Sequence, residues 1–244
     1  MKTPIKNFIL SGLLIFSFSM THCQFWAGEN VKGNGQQTTK TVNTPPYDKV
    51  KANGPIDLYL KKGKEGNISV TTDDNLHQYL SVEVKNETLN IRVRKGISIR
   101  RYKGFEVTIP FEDISGVSLS GSGSIMTQDP IHGEQFEASI SGSGDINLAL
   151  ETNKAGVRVN GSGDVVLAGN TNSLEINING SGDFEGFGLN SEKTKIRISG
   201  SGDAEVIANA ALDARVSGSG DIDYKGNPAK LDIKVSGSGS ISKD

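Results

Sequence analysis

Apolar residues alternate with polar ones along most of the chain from Tyr47 onward. The pattern is clear from Val50 to Leu60, and it returns from Leu80 to Val93. Successive side chains of a β-strand point to opposite faces of the sheet, so a period of two predicts strands with one buried face. We therefore predict an all-β protein.

The alternation is interrupted at regular intervals by the tetrapeptide Gly-Ser-Gly-Asp or a close variant. Apolar residues precede each first glycine by two and four positions and follow it at the fourth position, as Val159, Val157 and Val165 do around Gly161. Each repeat therefore reads as strand, glycine turn and strand, with both strands directing apolar side chains to one interior. The first glycines are 21, 19, 19, 20, 18 and 19 residues apart and lie at Gly121, Gly142, Gly161, Gly180, Gly200, Gly218 and Gly237.

A period near 20 residues is typical of a repeat architecture. Neither an up-and-down barrel nor an immunoglobulin-like sandwich explains near-identical turns at a constant interval, so we predict a parallel β-solenoid with coils about 4.8 Å apart. Right-handed winding is expected from the usual crossover rule. The predicted solenoid covers residues 45–244, with irregular coils at 45–114 and regular repeats at 115–244. Asn53-Gly54-Pro55-Ile56-Asp57 is interpreted as a degenerate copy of the same turn.

The first 23 residues have the pattern of a secretory signal peptide. Lys2 and Lys6 precede an apolar run from Phe8 to Met20, which is short for a membrane span. Two processing routes end at Cys23: cleavage after it, or its lipidation as in a bacterial lipoprotein. His22 fits the second route poorly, which favours soluble export. The protein is thus predicted to be exported from a bacterium and to be secreted, periplasmic or on the cell surface, and a lipid on Cys23 would be its one link to a membrane.

Composition narrows the classes of function. The chain has 26 basic and 28 acidic residues, so no global field attracts nucleic acid. Cys23 is the one cysteine, and an exported domain beyond it must be stabilised without disulfides. Residues 24–44 are polar and rich in Gly, Asn, Gln and Thr, which predicts a flexible tether.

Stacked repeats place equivalent residues in columns, and the first polar column is acidic. It resembles the Gly-x-Gly-x-Asp spelling of calcium-binding solenoids, although the period here is about twice theirs. Calcium is one interpretation, and an aspartate that closes a turn by a hydrogen bond is the favoured one. The metal candidates of this column are Asp145, Asp164, Asp183, Asp203 and Asp221.

Two further columns flank the turn. The basic column, which includes Arg158, Arg197 and Arg215, could recognise acidic glycans, but neighbouring acidic residues such as Glu175 favour local charge balance. The middle serines of the turns are interpreted as a hydrogen-bonded hydroxyl ladder, since a nucleophilic serine needs an adjacent base. That serine column is Ser122, Ser143, Ser162, Ser181, Ser201, Ser219 and Ser238.

No catalytic site or cofactor site is predicted. His77 and His132 lie in different segments without metal-ligand spacing, and no phosphate loop, dinucleotide fingerprint or nucleophile elbow is present. Five nearly equivalent carboxylates also suit a catalytic acid and base badly, because those roles need different environments.

The export signal, the Gln24-Phe25-Trp26 segment, the strand at Val107–Pro110 and the tandem Ser-Gly-Ser-Gly-Asp units resemble one bacterial family. It is the family described as putative auto-transporter adhesin, head GIN domain, and the resemblance covers Tyr47 to Asp244. The resemblance implies a secreted or surface β-solenoid, with adhesion suggested by analogy to trimeric autotransporter heads.

The sequence thus favours an exported, non-catalytic interaction module, adhesin-like, whose partner is a cell-surface or extracellular protein or glycan. The alternatives are a β-helix enzyme that acts on polysaccharide and a purely structural protein of the cell envelope. The terminal coils of a solenoid need caps, and the exposed last strand could be covered by another chain, which suggests a homo-oligomer.

Overall fold

The computed structural model describes residues 29–127 and 129–244. The predicted signal peptide at 1–23, including Cys23, and residues 24–28 lie outside this range. A short 3-10 helix spans Asp74–Tyr79, and the strands are β1 (Glu29–Lys32), β2 (Gln37–Asn43), β3 (Lys49–Asn53), β4 (Asp57–Lys62), β5 (Asn67–Asp73), β6 (Leu80–Lys85), β7 (Thr88–Val93), β8 (Ile97–Arg100), β9 (Glu106–Phe111), β10 (Gly116–Gly121), β11 (Ser124–Thr127), β12 (Ile131–Gly142), β13 (Asp145–Gly161), β14 (Val165–Gly180), β15 (Phe184–Gly200), β16 (Ala204–Ile207), β17 (Ala211–Gly218), β18 (Ile222–Lys225), β19 (Lys230–Gly237) and β20 (Ile241–Lys243).

The strands stack as the parallel β-solenoid that the repeats predict. Each glycine turn pairs with the same turn one coil away, so Gly142 lies opposite Gly121 on one side and Gly161 on the other. One face is formed by β7, β3, β10, β12, the second halves of β13, β14 and β15, then β17 and β19. The opposite face begins with β9, β4 and β11 and ends with β16, β18 and β20. The prediction of a parallel solenoid is confirmed.

The core lies between the two faces, as the alternation requires. In the middle coils Val157, Val159 and Val165 are almost fully buried, while their neighbours Arg158 and Asn160 are exposed. Tyr47 and the buried members of β3 and β4 extend the same core into the irregular region. Because every coil contributes the same inward positions, the interior is a set of continuous apolar columns.

The first coils do not follow chain order, which the sequence did not predict. The coil of β3 and β4 lies between the coil of β7 and β9 on one side and that of β10 and β11 on the other. The degenerate turn is confirmed nevertheless, because the Gly54 N–H donates to the Ser120 carbonyl and Asp57 lies opposite Ser124. Long-range pairing of this kind leaves no periodic signal in a sequence.

An antiparallel cap closes this end of the solenoid. β6 pairs with the outer edge of β7, β5 pairs with β9, and β2 covers β5. The predicted flexible tether at 24–44 is therefore wrong for residues 29–43, which contain β1 and β2. Their polar composition suits a half-exposed covering strand, where the backbone ladder and not apolar burial provides the order.

The opposite end of the solenoid is open within the described residues. β19 pairs with β17 and β20 with β18, and no described strand pairs with the outer edge of either. Leu231, Ile233 and Val235, which occupy core columns, are 47, 45 and 41% exposed. No helix in the described part of the chain has the length and apolar character that a membrane span needs.

Candidate functional site

Glycine is required at the first position of each turn by its backbone conformation, and at both positions by close contact with the adjacent coil. The first glycine takes a positive φ, which is 135° at Gly180 and lies in a region that L-residues with a side chain rarely adopt. The second glycine lies against the backbone of the previous coil, and a Cβ on Gly182 would be 2.2 Å from the carbonyl oxygen of Gly163. The turn is thus a close contact between coils, with no space for a ligand between successive backbones.

The serine column does not form the predicted hydroxyl ladder. The backbone N–H of Ser162 donates to the Gly142 carbonyl at 2.9 Å, and that of Ser181 donates to Gly161 at 2.9 Å. The serine side chains are exposed, and within residues 29–127 and 129–244 their hydroxyl groups make no hydrogen bond to protein. The interpretation as hydrogen-bonded packing is therefore wrong: the small side chain keeps the turn narrow, and the backbone joins the coils.

The aspartate column forms a continuous chain of hydrogen bonds between coils. The Oδ1 atom of Asp164 accepts from the backbone N–H of Asp183 at 2.9 Å, and Asp183 accepts from Asp203 in the same way at 2.8 Å. The Asp221 N–H donates to Asp203 in the same way at 2.8 Å. At the start of the column, the Asp164 N–H makes a longer contact of 3.3 Å with Asp145. Ser240 ends the column by donating both its N–H and its hydroxyl to Asp221.

These contacts match the favoured turn-closing interpretation of the column. Oδ1 of each carboxylate is committed to the next coil, and among the described residues no group of three or more His, Cys, Asp and Glu side chains could hold a metal ion. Calcium binding by the five aspartates stays a prediction, which melting curves in calcium and in chelator would test.

At Asp183, the effect of the carboxylate charge on stability can be separated from the effect of its hydrogen-bond acceptor, because Oδ1 accepts a bond from the next coil. We expect Asp183→Ala to lower the free energy of unfolding by about 1–2 kcal/mol, because the Asp203 N–H loses its acceptor. Asp183→Asn keeps an Oδ1 acceptor and should lose less. Urea denaturation would measure both, and an Asn variant as unstable as the Ala variant would show that the charge matters instead of the acceptor.

The basic column is paired in place with acidic residues of neighbouring coils. Arg158 contacts Glu137 at 2.7 Å and Arg197 lies 3.7 Å from Asp213, while in the adjacent column Lys195 contacts Glu175 at 2.8 Å. Arg215 contacts Asp232 at 2.6 Å. The side chains of these pairs are 33–60% exposed, so each pair adds little stability, but together they balance charge along one face. This arrangement favours local charge balance over a free cationic ribbon for acidic glycans.

The Lys195–Glu175 pair predicts a measurable titration. The hydrogen bond from Lys195, supported by its charge, lowers the pKa of Glu175 below the ordinary value of 4.5. A lowered carboxyl pKa stabilises the fold above about pH 4.5 and that contribution is lost as the pH falls through the folded pKa. Lys195→Met should raise the Glu175 pKa and change stability by less than about 1 kcal/mol. Carbon NMR titration would show it, with Lys154→Met as control; an unmoved pKa would contradict the assignment.

A second polar corner, opposite the glycine turns, was missed by the sequence reasoning. Asn153 donates to Glu134 at 2.6 Å, and Asn172 donates to Asn153 at 2.6 Å. In a neighbouring column, Asn170 donates to Glu151 at 3.0 Å. Farther along the same column, Asn209 donates to Asn190 at 2.8 Å. The 19-residue spacing of Asn153 and Asn172 was the available signal.

The histidines show no catalytic arrangement within the described residues. The Nε2 atom of His77 lies 3.0 Å from the Thr38 hydroxyl and 3.1 Å from the Thr38 carbonyl, which binds the 3-10 helix to β2. Burial in the cap lowers the pKa of His77. His132 is exposed on β12. His77 is therefore a structural part of the cap.

Comparison with known proteins agrees with this geometry. The family model described as putative auto-transporter adhesin, head GIN domain, matches residues 46–228. The chain belongs to this family. A comparison with functionally curated proteins found no match. The family's sequence resemblance, noted above from the turn motif, is thereby confirmed.

Solved structures of similar chains have the same fold. A putative adhesin from Bacteroides fragilis NCTC 9343 has a TM-score of 0.83 and 24% identity, over 88% of this chain and all of the other. A putative adhesin from Parabacteroides distasonis ATCC 8503 has a TM-score of 0.73 and 28% identity, again over 88% of this chain and all of the other. A putative lipid binding protein from the same strain gives 0.73 and 27% with the same coverage.

Proposed function

We propose that this member of the head GIN family is an exported, non-catalytic module that binds a protein or glycan at the surface of a cell. The observation that supports it is that the polar columns are committed to neighbouring coils. What the molecule offers to a partner is its repeated flat faces, on which charged and amide side chains lie at intervals of one coil.

Such faces suit recognition better than catalysis. The paired cations and carboxylates of β12 to β19 are held in register by the backbone ladder, so the surface is preorganised and little entropy is lost in ordering it when a partner binds. A reaction would need one carboxylate whose environment differs from its neighbours, and the aspartates of the glycine corner have nearly the same environment from coil to coil. Family membership, with relatives named as adhesins, points to the same class of function.

Binding of the purified chain to cells and to defined surfaces tests the proposal. The labelled chain should bind saturably to intact cells or to immobilised extracellular proteins or glycans. Charge reversal on the ion-pair face, as in Arg158→Glu, should weaken that binding more than Lys154→Glu at the second corner. The proposal fails if the chain captures no protein or glycan and if a strain without it attaches to surfaces as well as its parent.

A further inference from the structure

The exposed core at the open end of the solenoid has the composition of an interface. Leu212, Ala214 and Val216 of β17 are buried, because β19 lies over them. The side chains at the same positions of β19 are Leu231, Ile233 and Val235, which are the exposed large apolar residues of the described chain. A row of half-exposed core residues beside an unpaired strand edge is a site for pairing with another strand.

The two ends of the solenoid differ in a way that limits what can pair. β2, β5 and β6 cover the first coils with antiparallel strands, and the outer edges of β2 and β6 have no partner among the described residues. Val82 and Val84 of β6 are only partly exposed and pack against the core, whereas the apolar side chains of β19 are 41–47% exposed. A contact that covers the exposed core of both copies joins two open ends, which gives a closed dimer and no filament.

The outward side chains of β19 are complementary to themselves when two copies run antiparallel. Around a two-fold axis at Ile233, Asp232 lies opposite Lys234 of the second copy, and Lys234 lies opposite its Asp232. Leu231 then meets Val235 on the apolar side. Parallel pairing in register would instead place Lys234 beside Lys234 and Asp232 beside Asp232, which is unfavourable.

The second sheet is not part of this contact. The middle of the last glycine turn is Ser238, which is five residues from both Ile233 and Lys243, so an axis through Ile233 lies level with Lys243 and not with Ile241. Strand β20 ends at Lys243, and the pairing is therefore confined to β19. Asp232 is held at 2.6 Å by Arg215 of its own chain and is still 56% exposed, so it can also accept Lys234 of the second copy.

We infer that β19, at the open end of the solenoid, binds β19 of a second copy of this chain, strand against strand and antiparallel. This inference does not rest on the proposed function, since self-association and capture of a surface partner are measured separately. In the dimer the two capped ends lie far apart, and each β1 is at an outer end of the assembly.

Sedimentation equilibrium of the purified chain, expressed from its full sequence, tests the inference. We expect a monomer–dimer equilibrium at concentrations up to about 1 mM, the weak limit of specific association. Lys234→Glu makes positions 232 and 234 of β19 both acidic, Asp232→Lys makes them both basic, and each should weaken dimerisation about tenfold or more. Lys154→Glu changes the same charge at the second corner and should leave dimerisation unchanged.

Mixing the two variants is the decisive arm. In antiparallel pairing the acidic and basic strands complement each other, so the mixture should form a heterodimer that neither variant forms alone. Ile233→Asp, at a position that is already half-exposed, should give a folded monomer and covers the case in which Asp232→Lys fails to fold. The inference is overturned by a wild-type chain that stays monomeric, as it would if another segment of the same chain covers the edge. A dimer that persists in Ile233→Asp, or a mixture of folded variants without heterodimer, overturns it equally.

Discussion

Gly180→Ala should be among the most destabilising single substitutions in the chain. A Cβ at this position would lie 2.1 Å from the carbonyl oxygen of Gly161 and 3.0 Å from its carbonyl carbon, both in the backbone of the adjacent coil. The φ of 135° adds strain of its own. Overpacking and backbone strain each cost about 1–3 kcal/mol, so we expect a loss on the order of 3–5 kcal/mol in urea denaturation.

Gly133→Ala is the matched control for this prediction. It introduces the same methyl group on a strand where the nearest heavy atom to the new Cβ, the Gln135 carbonyl oxygen, is 3.8 Å away. Its effect should stay within about 0.5 kcal/mol, as for ordinary surface substitutions. Equal losses for Gly180→Ala and Gly133→Ala would mean that the glycine corners are not close contacts between coils.

Phe184→Ala should open a cavity that the core cannot refill. The ring is 1% exposed and lies in a column between Val165 and Ala204. It also passes over Gly186, where a Cβ would be 2.3 Å from the ring. The flanking residues are held at one-coil spacing by the ladder and cannot collapse into the space. We expect a loss of about 3–5 kcal/mol, measured by the same denaturation.

Phe184→Leu separates volume from aromatic character. Leucine keeps most of the buried apolar surface, so this variant should lose less than about 1.5 kcal/mol. A Phe184→Ala variant whose free energy of unfolding lies within about 1 kcal/mol of wild type would contradict the assignment of this residue to the core, because truncation of a buried phenylalanine costs more than that.

The regular coils could be predicted from the sequence because their contacts repeat. Val159 and Val165 flank a glycine turn in one repeat, and the same spacing in the other repeats places the equivalent residues in one column. The spacing also identified the aspartate column. The favoured role of its members, closing a turn by a hydrogen bond, matches the bond that the Asp203 N–H donates to Asp183. Periodicity thus identifies which residues are equivalent in neighbouring coils and so lie in one column.

Contacts that occur once could not be predicted in this way. The antiparallel pairing of Thr39 with Thr71 in the cap joins segments with no repeat between them, and the polar segment around Thr39 resembled a tether for that reason. The serines were assigned the wrong donor because a sequence pattern gives the column but not which atom of Ser181 faces the next coil. The amide corner at Asn153 was missed because the coils differ in length there, which blurs the alignment.

Deletion of residues 162–180 tests the central claim that each coil is an interchangeable unit joined to its neighbours by the glycine corner. The deletion joins Gly161 to Ser181, keeps the turn sequence Gly-Ser-Gly-Asp and removes one coil. Circular dichroism during urea denaturation should show a β-rich protein with one cooperative transition and a slightly smaller m-value, because less surface is exposed on unfolding. Deletion of residues 162–171, half a coil, should abolish that transition. A protein that unfolds after loss of the whole coil yet tolerates loss of the half coil would contradict the account.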